Sequence, residues 1–293
     1  MFRFLLGLFL VSTTHLCGAI RGEFLSSTSW LADHLRDADL VILHVGSSQD
    51  YETGHIPGAR LVTPADISAS GERGLRLQLP PADTLRAAFG RLGISDRSRI
   101  VVYPATGSVQ SATRVWFTLD YLGMGERASL LDGGLGLWKS EGRPVTSEAT
   151  AAGPGRLTGS PRPEVVVTAE WVAAHLKDPG AQMVDARLPE FYTGSNAGNM
   201  PRAGHIPGAT NAPFQGFLDE RMRFLAPGAL AELLEKAGAV RGKSVVPYCH
   251  TGMQASVVYF VARYLGLEPK LYDGSFEDWS AQSSLPIETI VTP

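Results

Sequence analysis

The side chain best placed for covalent chemistry is Cys249. It follows Lys243-Ser244-Val245-Val246-Pro247-Tyr248, an apolar, β-branched run that reads as a strand. It opens the loop Cys249-His250-Thr251-Gly252-Met253-Gln254, and a helical pattern over 255–265 follows directly. A cysteine at such a junction meets converging backbone N–H groups and the positive end of a helix. Both favour thiolate over thiol, so the spacing predicts a lowered pKa and a nucleophile. The same amides would hold an anionic adduct. Gly252 suits a position that needs positive φ or close approach to a ligand. The competing reading is a core cysteine at a strand end, since free cysteine is commonly buried.

The other cysteine, Cys17, lies in a segment of different character. Arg3 precedes the apolar run Phe4-Leu5-Leu6-Gly7-Leu8-Phe9-Leu10-Val11, and a polar stretch leads to Cys17-Gly18-Ala19. A short charged region, a short apolar core and small residues before a cut after Ala19 predict a signal peptide over residues 1–19. Eight apolar residues reach only about 12 Å as a helix, too little for a ~30 Å hydrocarbon core. The expectation is export to the periplasm, or secretion. Cleavage would leave Cys249 as the one thiol, with no internal disulfide.

The remaining chain repeats itself. Trp30-Leu31-Ala32-Asp33-His34-Leu35 matches Trp171-Val172-Ala173-Ala174-His175-Leu176, and Asp132-Gly133 through Trp138 matches Asp273-Gly274 through Trp279, both at an offset of 141 (Trp30 to Trp171). Gly54-His55-Ile56-Pro57-Gly58-Ala59 recurs as Gly204-His205-Ile206-Pro207-Gly208-Ala209, with the extra residues in a Gly/Asn/Pro-rich insertion over 195–203. So long a period is not that of a solenoid. The expected organisation is one domain over 20–148, a Gly/Pro-rich linker over 149–163, and a second domain over 164–293.

In the second copy, helical patterns at 171–176, 228–237 and 255–265 alternate with strand patterns at 182–185 and 243–248. Gly238 and Gly266 stand where C-cap glycines belong. Such alternation predicts an α/β fold with a parallel sheet and helices on both faces, and ligands at the carboxyl ends of the strands. The 293 residues carry 44% hydrophobic and 19% charged side chains, ordinary for globular domains. Lys+Arg at 26 against Asp+Glu at 29 gives a net charge of −3, and no basic run offers a nucleic-acid surface. No further run is apolar enough for a membrane span. No Cys/His cluster with ligand spacing suggests a metal.

Asp185-Ala186-Arg187 followed by Tyr192, the Gly204–Ala209 hexapeptide, Tyr248-Cys249 with Gly252, and Asp273-Gly274 with Trp279 resemble the rhodanese family in residue type, order and spacing. The whole chain after the leader is covered, in the two-domain layout of thiosulfate and 3-mercaptopyruvate sulfurtransferases. The resemblance implies two tandem rhodanese-like domains, each with a five-stranded parallel sheet. It implies that Cys249 carries a persulfide, taken from a small-molecule donor such as thiosulfate and passed to a thiophilic acceptor, cyanide or a thiol, with a protein acceptor also open. It requires no cofactor. The binding loop would be His250, Thr251, Gly252, Met253 and Gln254.

Arg187 could orient an anionic donor through a forked hydrogen bond, or form a structural ion pair. His250 could place a cation beside the donor at low pH, although adjacent loop side chains often point apart. Arg202 reads as a solvated charge with some reach toward the cleft. His55 and His205 occur in both copies and read as structural. The loop matches neither the basic thiosulfate-type nor the Gly/Ser mercaptopyruvate-type pattern, and Phe191 stands where two-domain members often carry Arg. In the first copy, alignment from the strand sets Ala105 opposite Cys249, and alignment from the helix sets Thr106 there; neither can carry sulfur, and Gly46 replaces Arg187. The first domain is therefore expected to be inactive and to wall the cleft. Two other functions remain open at this level. One is a non-enzymatic persulfide carrier. The other is a phosphatase, disfavoured because Ala255 stands where phosphate binding needs an arginine.

Overall fold

The computed structural model describes residues 19–290, so the expected leader lies outside the described residues apart from Ala19. In the first repeat β1 (Leu25–Ser26), β2 (Leu40–Val45), β3 (Ala59–Val62), β4 (Arg99–Pro104) and β5 (Ala128–Leu131) form one parallel sheet in the order β1-β5-β4-β2-β3. Its helices are α1 (Thr28–His34), α2 (Ser48–Thr53), α3 (Ala82–Arg91), α4 (Val109–Tyr121) and α5 (Gly134–Ser140). Residues 41–45 and 100–104 are buried throughout, as strands covered on both faces must be.

The second repeat has β6 (Val166–Val167), β7 (Ala181–Asp185), β8 (Thr210–Asn211), β9 (Ser244–Tyr248) and β10 (Leu271–Tyr272), with α6 (Ala169–Ala174), α7 (Pro189–Thr193), α8 (Pro227–Lys236), α9 (Ala255–Tyr264) and α10 (Ser275–Ala281). Here the hydrogen-bond ladder falls into two parts, β8-β7-β9 and β10-β6. They meet where Lys270 N–H donates to the Val245 carbonyl at 2.9 Å. Strand residues alternate sides, so Pro247 faces β10 as Val245 does, and it has no N–H to donate. The strands thus keep the order of the first repeat while the ladder between β9 and β10 is thinned. Pro227 opens α8 at its first position, and Gly238 and Gly266 follow α8 and α9 at φ +81° and +75°.

No helix or strand lies between Ser140 and residue 163. The connecting segment is nevertheless docked on the first repeat. Gly155 N–H donates to the Gly90 carbonyl at 2.9 Å, and Thr158 N–H donates to Asp96 at 2.9 Å.

The repeats pack through α4 and α9. Residues on these helices correspond at an offset of 143 (Leu122-Gly123 to Leu265-Gly266). Thr113 and its counterpart Ser256 share a hydrogen bond of 2.7 Å. Trp116 meets Phe260 edge-on at 4.9 Å, while Phe117 meets Tyr259 at 4.9 Å. Because Trp116 corresponds to Tyr259 and Phe117 to Phe260, the pairs are exchanged as across a two-fold axis. Asp120 meets its own counterpart Arg263 at 3.2 Å. One apolar cluster runs through both repeats, from Phe24 and Trp116 to Val257 and Phe260.

The exchange extends to two loops. Residues 69–79 of the first repeat cover the carboxyl edge of the second sheet, where Leu79 N–H donates to Asp273 at 2.7 Å. Residues 218–224 of the second repeat cover the first sheet, where Phe224 N–H donates to Asp132 at 3.0 Å. Leu77 and Met222 correspond in these loops, and both hold positive φ, +57° and +60°.

Candidate active site

Cys249 follows the last residue of β9 and is 1% exposed. The backbone amides of Thr251, Gly252, Gln254 and Ala255 act on its sulfur so as to favour its anion. Gly252 adopts φ +82°, and a methyl group there would lie 3.0 Å from Arg114 Nη1 and 3.1 Å from the Asp273 carbonyl. A positive φ and a close approach are thus both present. The lowered pKa expected from the loop is not found. Burial pushes the Cys249 thiol above its ordinary value, and the four amides only reduce that rise. The junction supplies the donors, but it also removes the sulfur from water, and in the unliganded site desolvation outweighs them.

Arg187 leaves the carboxyl end of β7 and is 1% exposed. Its Nε and Nη2 donate to the Asp185 carboxylate at 2.9 and 2.6 Å, and Nη2 also donates to the Gly204 carbonyl at 2.8 Å. The guanidinium lies 4.0 Å from the Phe276 ring centroid and 5.8 Å from that of Tyr248. Burial disfavours its charge, yet Asp185 more than compensates and holds it above the ordinary arginine value, with the Cys249 sulfur acting in the same sense. Arg187 therefore forms the structural ion pair and also sets a fixed positive charge near the sulfur. Its Nη1 makes no hydrogen bond among the described residues.

His250 is half-buried and meets the Phe191 ring edge-on at 4.6 Å. Burial, then the charge of Arg187, lowers its pKa, so the ring is neutral at neutral pH. The insertion reaches this point: a Cβ on Gly198 would lie 3.1 Å from the Phe191 ring. Met253 turns its carbonyl to the Ser256 hydroxyl at 2.6 Å. Arg202 is neither solvated nor in the cleft, since it donates to the backbone carbonyls of Trp279, Ser280, Gln282 and Leu285. His55 and His205 each bond a tyrosine carbonyl at 2.7 Å and stack on that ring.

Several residues of the site escaped the sequence reading. Ser275 Oγ accepts the Cys249 N–H at 3.2 Å and donates to the Tyr272 carbonyl at 2.9 Å. It holds φ +53°, as its counterpart Gly134 holds +55°, so a serine where the other copy has glycine was the available signal. Asp273 meets Arg114 from the first repeat, a charge contact of 2.6 Å whose alignment falls short of a hydrogen bond. Arg114 is fully buried and also donates to the Leu77 carbonyl at 2.9 Å. Arg76 pairs with Glu277 at 2.6 Å and lies near enough for its charge to act on His250. These contacts join residues far apart in sequence, and no local pattern announces them.

The counterpart of Cys249 also changes. Tyr103 and Tyr248 hydroxyls accept the amides of Ile56 and Ile206, so these tyrosines correspond. Pro104 then stands opposite Cys249, rather than Ala105 or Thr106. His44 takes the place of Asp185, because each pairs with its repeat's tyrosine across the sheet.

Comparison with known proteins agrees with this architecture. The family described as the rhodanese-like domain matches residues 27–141 and 168–282. The chain is 32% identical to the probable 3-mercaptopyruvate sulfurtransferase of Pseudomonas aeruginosa, covering 88% of this chain and 95% of that protein. It is 30% identical to the thiosulfate sulfurtransferase of Azotobacter vinelandii, covering 88% and 94%. It is 32% identical to the sulfur carrier protein TtuD of Thermus thermophilus, covering 92% and 98%. Among solved structures, an anaerobic ergothioneine biosynthesis enzyme from Chlorobium limicola shares the fold, with TM-score 0.82 at 21% identity, covering 92% of this chain and 71% of that one. Two matched repeats and relatives of this kind over nearly the full length place the chain in the rhodanese family, as a tandem-domain sulfurtransferase.

Proposed function

We propose that the chain moves a sulfane sulfur from a small anionic donor such as thiosulfate to a thiophilic acceptor, through a persulfide on Cys249, with the second repeat catalytic and the first inactive. The observation that carries this reading is the place of one buried sulfur between the end of β9 and the start of α9, where four backbone amides favour its anion. The Cys249 thiolate attacks the outer sulfur of the donor. A new S–S bond forms, the donor's S–S bond breaks, and sulfite leaves with its electron pair. Cyanide or a thiolate then attacks the terminal sulfur and carries it away, and the Cys249 thiolate returns. The amides of Thr251, Gly252, Gln254 and Ala255 and the charge of Arg187 favour the anion at each stage.

The burial of Cys249 favours a small donor over delivery from the surface of another protein, which sets the enzyme reading above that of a carrier. The first repeat's Pro104 offers no nucleophile. Thiosulfate:cyanide transfer tests the proposal: the wild type forms thiocyanate and Cys249→Ala does not. A wild type inactive with both thiosulfate and 3-mercaptopyruvate, and taking up no sulfur, would overturn it. We also propose export to the periplasm or beyond, on the strength of the charged and apolar leader. A mature N-terminus near residue 20, found by sequencing, would bear this out, and one at Met1 would not.

A further inference from the structure

The first repeat contains the two-fold image of the catalytic cleft, and it is open. A cavity of about 570 Å³ lies at the carboxyl ends of β4 and β5, in the size range of small-molecule sites. Val109, Leu130 and Leu137 wall it from the first repeat, and Met222 and Phe224 close it from the covering loop of the second. Asp132 lies within it, as Asp273 lies beside the nucleophile loop.

The two aspartates differ in their partners. Asp273 is met by the buried Arg114. The counterpart of Arg114 on α9 is Val257, so the image of that guanidinium is missing. Asp132 has no ion pair among the described residues; it accepts the Phe224 amide, and the nearby Arg223 is paired with Asp219 at 2.7 Å and acts on Asp132 only through its charge. Burial raises the Asp132 pKa, and the Phe224 amide and the charge of Arg223 offset only part of that rise. Glu220 and Arg221, both exposed, also line the cavity, one charge of each sign.

A second observation concerns the cover. Met222 holds φ +60°, a left-handed conformation that an L-residue adopts only under constraint. Its side chain reaches over Gly107, whose Cβ position lies 3.8 Å from Met222 Cγ. Strain of this kind, held over a cavity, is a mark of ligand sites. The flexible thioether suits a wall that adapts to a ring.

We propose that this cavity binds an aromatic cation, with the ring between the apolar walls and its nitrogen donating to Asp132. The site is separate from Cys249 and owes nothing to sulfur transfer. The test is fluorescence titration of the full chain with p-aminobenzamidine, with benzoate as the anionic competitor of similar shape. The expected result is saturable binding that benzoate does not displace. Gly136→Leu should abolish it, because Gly136 is exposed, lines the cavity and has open space where its side chain would grow. Asp132→Asn should weaken it roughly tenfold or more, the loss of a charge-assisted contact. Binding by Cys249→Ala, and sulfur transfer by Gly136→Leu, should match the wild type, so this proposal and the catalytic one fail separately. No saturable binding to the wild type, displacement by benzoate, or undiminished binding by Gly136→Leu would each overturn it. Should Asp132→Asn fail to fold, the Gly136→Leu and benzoate results decide.

Discussion

At the scale of single residues, two opposed effects act on one sulfur atom. Four amides stabilise an anion on Cys249, and burial disfavours it. The donors are fixed by the loop, and Gly252 makes that path possible. Gly252→Ala would force a methyl group toward Arg114 and the Asp273 carbonyl while straining φ +82°. Sulfur-transfer turnover should fall roughly tenfold or more, with a stability loss of about 1–2 kcal/mol. Steady-state kinetics and a urea titration check the two effects. The Asp185–Arg187 pair is fully withdrawn from water. Asp185→Ala should lower stability by about 3–5 kcal/mol, because it strands a buried guanidinium. The urea midpoint at unchanged slope measures this. The cysteine, its glycine and the Asp185-x-Arg187 spacing were legible because each belongs to a local turn or strand end. Arg76, Arg114 and Ser275 were not. The first two arrive from the other repeat, and the third is an ordinary residue in an unusual conformation.

At the scale of elements, periodicity marks the segments well. The strand expected at 243–248 is β9, Ser244–Tyr248, and the helix expected at 255–265 is α9, Ala255–Tyr264. Side-chain pattern cannot show how Pro247 thins the ladder to β10, because that depends on which side of the strand its nitrogen faces. Nor does it show that His44 at the end of β2 takes the place of Asp185. His44 is fully buried, with Nδ1 3.0 Å from the Tyr103 hydroxyl, and burial lowers its pKa to about 4. The unfolded chain takes up this proton near pH 6.5 while the folded one does not. Stability is therefore complete above about pH 6.5 and falls as the pH drops toward 4, by roughly 3 kcal/mol over that window. His44→Phe should flatten this part of a plot of stability against pH. An unchanged slope would show that another group titrates there.

At the scale of the whole molecule, the repeats share one apolar cluster, keep a smaller one each, and exchange their covering loops. Repetition was plain in the sequence, since identical runs recur. The two-fold contact between α4 and α9 was not, because it depends on which apolar faces meet. Trp116 is fully buried against Phe24 and Phe260. Trp116→Ala should cost about 3–5 kcal/mol. Calorimetry should show a single unfolding transition for wild type and variant alike, since the largest apolar cluster spans both repeats and neither would keep it alone. Two separated transitions would mean that the repeats fold independently. This assembly leaves Cys249 almost fully buried. The most direct measurement of its chemistry is intact and peptide mass spectrometry after incubation with thiosulfate or 3-mercaptopyruvate. The expected result is a gain of one sulfur atom, confined to the Cys249 peptide, removed by cyanide and absent from Cys249→Ala. No gain with either donor, or the same gain in Cys249→Ala, would contradict a persulfide on Cys249.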